Sequence, residues 1–301
     1  MVATRDQERR ERIRLPRTGR HRGTSGAENF TGCFTVLGNL AYGGAQVSAN
    51  VIDLQSGITL LSIDDRIVLP TASVGKVLLL IEVAARMTER DFAGYGILDK
   101  GPLDAVGGAG LWQHLQAPAL PVSDLAALVG ATGDNLATNV LLRQIGLDAV
   151  RARAESLGLA RTALLDRVRD NRGPDDAPQL SVGSTAELAW LFSALYRGQV
   201  VDHVTSQRVL GWLSLHSDLS MVASAFGLEP LSHRLNDHGL QLVNATGVDP
   251  GVCSEVGFLR GARAGIAYAV TVQFAESGLQ ARLLVLDAMR TIGYDLLEYV
   301  Y

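Results

Sequence analysis

Polar and apolar positions along this chain change their period in blocks. Gln46-Val47-Ser48-Ala49-Asn50-Val51 alternates polar with apolar, the pattern of a half-buried strand. Residues 58–63 read as its hairpin partner across a turn at Ser56-Gly57. The apolar segment 30–44 ahead of them fits a short helix, and Asp64-Asp65-Arg66 breaks the pattern behind them. Helical spacing then takes over. It predicts helices over 77–87, from Pro121-Val122-Ser123-Asp124 to about Thr132, over 135–145 and 147–157, over 188–196 and over 206–215. Ser184, with Glu187 three residues on, has the form of a capping box ahead of the 188–196 segment. Residues 160–183 are rich in Asp, Arg, Gly and Pro and read as one long loop, a kind of segment that often carries function. Short strands return at 240–244 and 256–259. A third follows where Tyr268, Val270, Val272 and Phe274 alternate with smaller or polar residues. Leu279, Leu283, Leu286 and Met289 then recur at helical spacing to about Tyr299.

Neither set of strands closes a core alone, so strands from both ends of the chain must share a sheet. The expected division is one domain over 30–301, with a sheet lobe of about 30–70 and 200–301 and a helical lobe of about 71–199. A cleft should form where the lobes meet, and Ser73 lies at that junction.

Composition narrows the function classes. The chain has 301 residues, 47% hydrophobic and 19% charged, enough for a sizeable core. A net charge of −4 gives no reason to expect nucleic acid or an acidic membrane as partner. Lys76 and Lys100 are the only lysines, so arginine supplies 25 of the 27 basic residues. Two cysteines, Cys33 and Cys253, make no metal or disulfide pattern, and the six histidines are scattered. No metal and no cofactor are expected. Residues 1–29 carry eight arginines and almost no large apolar side chains. They read as a disordered basic tail, or as an arm for something acidic. They lack the apolar run of an export signal, so Arg9-Arg10 is not read as one. No window reaches the ~18 apolar residues of a membrane span. The expectation is a cytoplasmic monomer acting on a small molecule, secreted only if the true start lies elsewhere.

The candidate chemistry begins at Ser73-Val74-Gly75-Lys76. Three residues apart on a helix puts two side chains on one face, so the Ser73 hydroxyl and the Lys76 amine are expected to hydrogen-bond. A serine needs a neighbour to take its proton before it attacks, and a lysine serves once burial lowers its pKa. A helix N-terminus at Ser73 also favours developing negative charge. The glycine-rich run 107–110 lacks a following Lys-Ser/Thr and reads as a turn, not a phosphate loop.

Two further stretches give the serine a context: Thr132-Gly133-Asp134-Asn135 and Asn244-Ala245-Thr246-Gly247. With Ser73-x-x-Lys76 they resemble the S-x-x-K, S-D-N and K-T-G set of the penicillin-recognising serine enzymes, the class A β-lactamases and DD-peptidases. Gly110-Leu111-Trp112-Gln113-His114-Leu115 resembles the stretch before S-D-N, and Leu165-Asp166-Arg167 the start of the family's omega loop. The resemblance runs over about residues 45–300, in order and at compatible spacing. It implies an α+β, β-lactamase/transpeptidase-like fold: a mainly antiparallel sheet flanked by helices, plus an all-helical subdomain. It implies Ser73 as nucleophile, Lys76 as proton acceptor and Asn135 as orienting residue. Gly133, Asp134, Ala245, Thr246, Gly247 and Val248 would line the substrate site, with the oxyanion held by the backbone N–H groups of Ser73 and Val248.

The departures from that pattern are informative. Gly133 stands where the family has a serine whose hydroxyl passes a proton to the leaving nitrogen. Ala245 stands where the family has a lysine that helps position the substrate carboxylate. The deacylating glutamate falls at about Arg169, with Asp170 beside it as a substitute base if the loop is shifted by one residue. The expected function is a slow serine hydrolase acting on β-lactams or related amides and esters. The alternatives are a ligand-binding protein that has lost the chemistry, and a small-ester hydrolase whose substrate carries no carboxylate.

Overall fold

Strands from the two ends of the chain close one antiparallel sheet in the computed structural model, which describes residues 30–89, 96–235, 238–275 and 278–301. The basic segment 1–29, and with it the expected tail, lies outside the described residues. Helix α1 (Thr31–Tyr42) precedes the hairpin of β1 (Gln46–Asp53) and β2 (Thr59–Ile63). A short β3 (Leu69–Pro70) and a 3-10 turn (Ala72–Gly75) lead into α2 (Lys76–Glu89). Then come β4 (Ile97–Asp99), β5 (Ala119–Pro121), α3 (Val122–Thr132), α4 (Asn135–Ile145) and α5 (Leu147–Ser156). Next are β6 (Ala163–Leu164), β7 (Ser181–Gly183), α6 (Thr185–Tyr196) and α7 (His203–Leu213). The chain ends with β8 (Gln241–Asp249), β9 (Val252–Arg260), β10 (Gly265–Gln273) and α8 (Leu279–Val300).

The main sheet runs β2-β1-β10-β9-β8, every pair antiparallel. Its last three strands are nine residues each, longer than the alternation predicted. The reason is burial on both faces. Val243, Ala245, Val256, Phe258, Ala267 and Ala269 pack into the core with α2, α3, α4 and α6. Leu242, Cys253, Leu259, Ile266, Tyr268 and Val270 pack against α1 and α8. A strand covered on both sides loses its polar positions and with them its period.

The expected long loop 160–183 contains two short strands. β7 pairs with β3 on one side and β6 on the other, joining both ends of that segment to the chain just before Ser73. The two helices near residue 200 pack across the expected lobe boundary. α6 lies on the sheet against β1, β9 and β10, and α7 lies against α2 and α3. Helix α2 is the centre of the helical packing. It is buried on every side from Val77 to Ala85, as an interior helix must be. Its buried Glu82 is paired with Arg86 at 2.8 Å and Arg153 at 2.7 Å. Only half of the expected capping box forms at α6. Ser184 Oγ accepts from Glu187 N at 3.4 Å, but the Glu187 carboxylate accepts from Ala160 N and Arg161 N instead. Among the described residues, no helix is long and apolar enough to cross a membrane.

Candidate active site

The 3-10 turn that carries Ser73 is held from three directions. Ser181 Oγ donates to the Ala72 carbonyl at 2.7 Å, and Thr71 N donates to the Ser181 carbonyl at 3.1 Å. Ala72 is held at φ 48°, a left-handed conformation that an alanine adopts only under constraint. Strand β8 presses on the turn from the third side. A Cβ at Gly247 would lie 2.2 Å from the Thr71 carbonyl oxygen and 2.9 Å from Ser73 N, so only glycine allows the approach. Val248 follows on the same strand. It lines, with Ser73 and Asn135, an open cleft of about 450 Å³. Val74 N is bonded to the Thr71 carbonyl at 3.1 Å, whereas Ser73 N, one residue earlier in the turn, has no such partner among the described residues and can face an oxyanion.

Lys76 is 3% exposed. The expected Ser73–Lys76 hydrogen bond is not among the contacts of the described residues. Ser73 belongs to the 3-10 turn, α2 begins only at Lys76, and Nζ reaches two carbonyl-type acceptors instead. It donates to the Gly133 carbonyl and to Asn135 Oδ1, both at 2.7 Å. Burial pushes the Lys76 ammonium down to about 7, with the Asp134 carboxylate opposing. A neutral amine has two hydrogens. Both are engaged by these acceptors, which leaves its lone pair for a proton from elsewhere. Ser73 and Lys76 both line a recess of about 20 Å³ beneath the cleft.

Asn135 also donates from Nδ2 to the Gly107 carbonyl at 2.8 Å, fixing its amide between Lys76 and the glycine-rich loop. The cap of α4 is Asp134. Asp134 Oδ1 accepts from Ala137 N at 2.9 Å, and Oδ2 accepts from Leu111 N and Trp112 N. The carboxylate read as a substrate contact is thus 1% exposed, with both oxygens engaged by backbone, and it lines neither cavity. Trp112 is fully buried, and Gln113 ties the loop through Gly108. Gly133 ends α3 at φ 61°, and a Cβ there would meet Lys76 Nζ at 3.9 Å. The hydroxyl of neighbouring Thr132 is bonded back to the Leu128 carbonyl, so it does not replace the missing serine.

The loop behind the cleft turns on Asp166. Its carboxylate accepts from Arg169 at 2.7 Å and from Arg172 at 2.6 Å, and these bonds hold it below the usual carboxylate range against the cost of burial. Arg169 also meets Asp176 at 3.0 Å. Arg167 reaches out of the loop to the Leu103 carbonyl at 2.8 Å. Asp170 lines the cleft, and its Oδ1 accepts from Gly107 N at 2.8 Å. Asn139 has no motif to announce it, yet it stitches this loop to α4. It accepts from Val168 N at 2.9 Å and donates to the carbonyls of Val168 and Asp104.

Two more residues had no signal in the sequence. His216, 5% exposed, places Nδ1 3.0 Å from the Gly130 carbonyl and Nε2 2.9 Å from Thr246 Oγ1. Thr246 Oγ1 lies 2.8 Å from Asp218 Oδ2. Burial lowers the His216 pKa, opposed by the Gly130 carbonyl and the Asp218 carboxylate. Thr246, Ala245 and His216 line the recess with Ser73 and Lys76.

A family model described as the beta-lactamase enzyme family matches residues 35–300. The chain belongs to that family. Its fold is the β-lactamase/transpeptidase-like fold, and solved structures show the likeness at low identity. A beta-lactamase from Sphaerobacter thermophilus is 22% identical, with TM-score 0.78, and the match covers 89% of this chain and 96% of that one. The structure of PBP-A is 17% identical, with TM-score 0.74, over 89% and 96% of the two chains. A beta lactamase from Xanthomonas campestris pv. campestris is 16% identical, with TM-score 0.74, over 89% and 97%. No curated protein matches. Membership of the beta-lactamase enzyme family, together with the fold, supports a hydrolase of serine type.

Proposed function

We propose that this family member transfers acyl groups through a covalent Ser73 intermediate, as a slow hydrolase of β-lactams or related amides and esters. The observation that carries the reading is Lys76. Buried and pushed down to about 7, it donates to two carbonyl-type oxygens and lines one recess with Ser73, and its neutral form, with both hydrogens used, has a lone pair left to take a proton. In the first step the Ser73 hydroxyl proton passes to Lys76 Nζ as Oγ bonds to the substrate carbonyl carbon. The carbonyl oxygen becomes an oxyanion facing the N–H groups of Ser73 and Val248. When the carbonyl bond to the leaving group breaks, the proton taken by Lys76 must reach that group. Gly133 has no hydroxyl to carry it, so the transfer runs through solvent. Leaving groups of low basicity, such as the phenolate of an activated ester, need no such transfer and are favoured.

Deacylation needs a base for water. Arg169 is paired with Asp166, and Asp170 lines the cleft with one oxygen on Gly107 N and the second used by no hydrogen bond among the described residues. Asp170 is therefore the candidate base, and slow turnover is expected. A second reading, a ligand-binding protein without chemistry, is favoured by Gly133, Ala245 and Arg169 together. Intact-protein mass spectrometry separates them. Wild type and Ser73→Ala are incubated with benzylpenicillin and with an activated phenyl ester. A Ser73-dependent adduct that decays supports the hydrolase, and one that persists supports acylation without release. No adduct from either reagent, or an adduct that survives Ser73→Ala, overturns the acyl-transfer reading.

A further inference from the structure

The recess beneath Ser73 holds more acceptors than protons. The Gly130 carbonyl only accepts, so the proton of a neutral His216 sits on Nδ1 and Nε2 is left as an acceptor. The Thr246 hydroxyl then lies between two acceptors, His216 Nε2 at 2.9 Å and Asp218 Oδ2 at 2.8 Å. It has one proton for both. Asp218 Oδ1 is met by Ser220 N at 3.0 Å, and no arginine or lysine is paired with this carboxylate among the described residues. We propose that the subsite at Thr246 selects acyl substrates presenting an N–H donor, a carboxamide or an ammonium, where the family pattern implies a carboxylate. This rests on the Ser73 acyl-transfer reading, whose substrate class it names.

A carboxylate at this point would be a third acceptor facing a single proton. It would also meet the Asp218 charge, with Ala245 in place of the expected lysine. An N–H group supplies the missing proton to Thr246 Oγ1 or His216 Nε2, both at the recess, while Thr246 gives its own proton to Asp218. The recess of about 20 Å³ has room for about one water-sized atom, such as an amide or ammonium nitrogen. The other charges facing His216 do not reverse the balance. Lys76 and His233 both disfavour its imidazolium, and Asp218 and the Gly130 carbonyl favour it. Glu255 lies buried beyond Asp218, and Arg169 and Arg172 are bound to Asp166 at the cleft. Protonating His216 reverses the pattern. Nε2 then donates to Thr246, the Thr246 proton goes to Asp218, and the imidazolium charge offsets that of the Asp218 carboxylate. Discrimination against carboxylate should therefore weaken as pH falls.

The test uses Ser73→Ala protein, which binds without reacting, titrated calorimetrically with benzylpenicillin and with its primary carboxamide at pH 7.5 and 5.5. The carboxamide should bind about tenfold more tightly at pH 7.5, a difference of ~1.4 kcal/mol. The ratio should shrink at pH 5.5, and Asp218→Asn should bring it close to one at both pH values. Equal or tighter binding of the carboxylate at pH 7.5 overturns the proposal. So does a ratio unmoved by both pH and Asp218→Asn, or no binding of either compound. The pH arm needs no substitution at Asp218 and stands if that variant fails to fold. Loss of the Ser73 adduct in wild type would instead sink the acyl-transfer reading, so the two failures are distinguishable.

Discussion

Lys76 and Thr246 line the same recess, yet their hydrogen bonds are arranged in opposite ways. The neutral Lys76 amine has two hydrogens and two acceptors, the Gly133 carbonyl and Asn135 Oδ1, each at 2.7 Å. With His216 neutral and its proton on Nδ1, Thr246 has one hydrogen and two acceptors, His216 Nε2 and Asp218 Oδ2. The first arrangement is complete without substrate and leaves only a lone pair to act. The second is short of a proton until something brings one. On the proposed reading, the comparison assigns proton transfer and recognition to separate ends of one cavity. On that reading, the lysine that the family pattern has at Ala245 belongs to the recognition end, and its loss leaves the Lys76 end intact.

The hardest blow to that comparison is Lys76→Met. Removing a positioned base should slow Ser73 acylation by about 10²–10⁴-fold, read as the rate of adduct formation by mass spectrometry. In wild type the rate should rise with pH through about 7 and then level, because only the neutral amine accepts the proton. The same substitution should stabilise the fold. The Lys76 pKa is lower folded than unfolded, so the lysine's cost is full at and below pH 7 and fades toward its ordinary value of 10.5. Thermal unfolding of the variant should show the largest gain at the acid end of that window. An unchanged acylation rate would mean that Lys76 only supports the structure.

A smaller effect sharpens the Lys76 end. Gly133→Ser returns a hydroxyl beside Nζ, where a Cβ would meet only Lys76 Nζ, at 3.9 Å. The cost is a left-handed serine at φ 61°, about 1–2 kcal/mol, seen as a drop in Tm. The gain should appear as about tenfold faster acylation by benzylpenicillin, whose leaving nitrogen needs a proton. An activated phenyl ester should show little change. Equal acceleration of both reagents would mean that the hydroxyl does something other than carry that proton.

These residues were unequally visible in the sequence. Ser73, Lys76, Asn135, Gly133, Ala245 and Thr246 stand in short motifs, because local backbone geometry fixes which residue types can serve there. Most helices were legible for a similar reason, having one face to solvent or a cap to mark them, whereas α2, buried all round, shows as an apolar run too long for a strand. The strands β8, β9 and β10 were read too short, because burial on both faces erased their alternation. The pairing of β7 with β3 and β6 was hidden in a polar segment whose short strands carry no period. His216, Asp218 and Asn139 were missed for another reason. His216 and Asp218 reach Thr246 only because α3, the chain after α7 and β8 meet in space, with 28 or 30 residues of sequence between them. Asn139 looks like any polar residue on α4 until the loop at Val168 folds over it.

The smallest effect tests how far the Thr246 end extends. Across the β8/β9 register Thr246 sits opposite Glu255, which is fully buried. Glu255 accepts from Tyr268 Oη at 2.7 Å, from Asn244 Nδ2 at 3.1 Å and from Ala223 N at 3.3 Å. Burial nevertheless raises its pKa to about 7, and the nearby Asp218 charge adds to the rise. A carboxyl whose folded pKa is raised contributes stability at low pH that is lost as pH climbs through that value. From its ordinary 4.5 to about 7 the linked loss is about 3 kcal/mol. Glu255→Gln keeps the shape, keeps an acceptor for Ala223 N and removes the titration. Denaturant unfolding at pH 5, 6, 7 and 8 should show the variant gaining on wild type as pH rises, by up to that amount. Taking the difference between the two proteins cancels the opposite pH trend of Lys76. Adding Asp218→Asn to both should shrink the gain, because one of the charges that penalises ionised Glu255 is then gone. Parallel curves for Glu255→Gln and wild type would show that Glu255 stays ionised throughout, and the acceptor-rich end would then stop at Asp218.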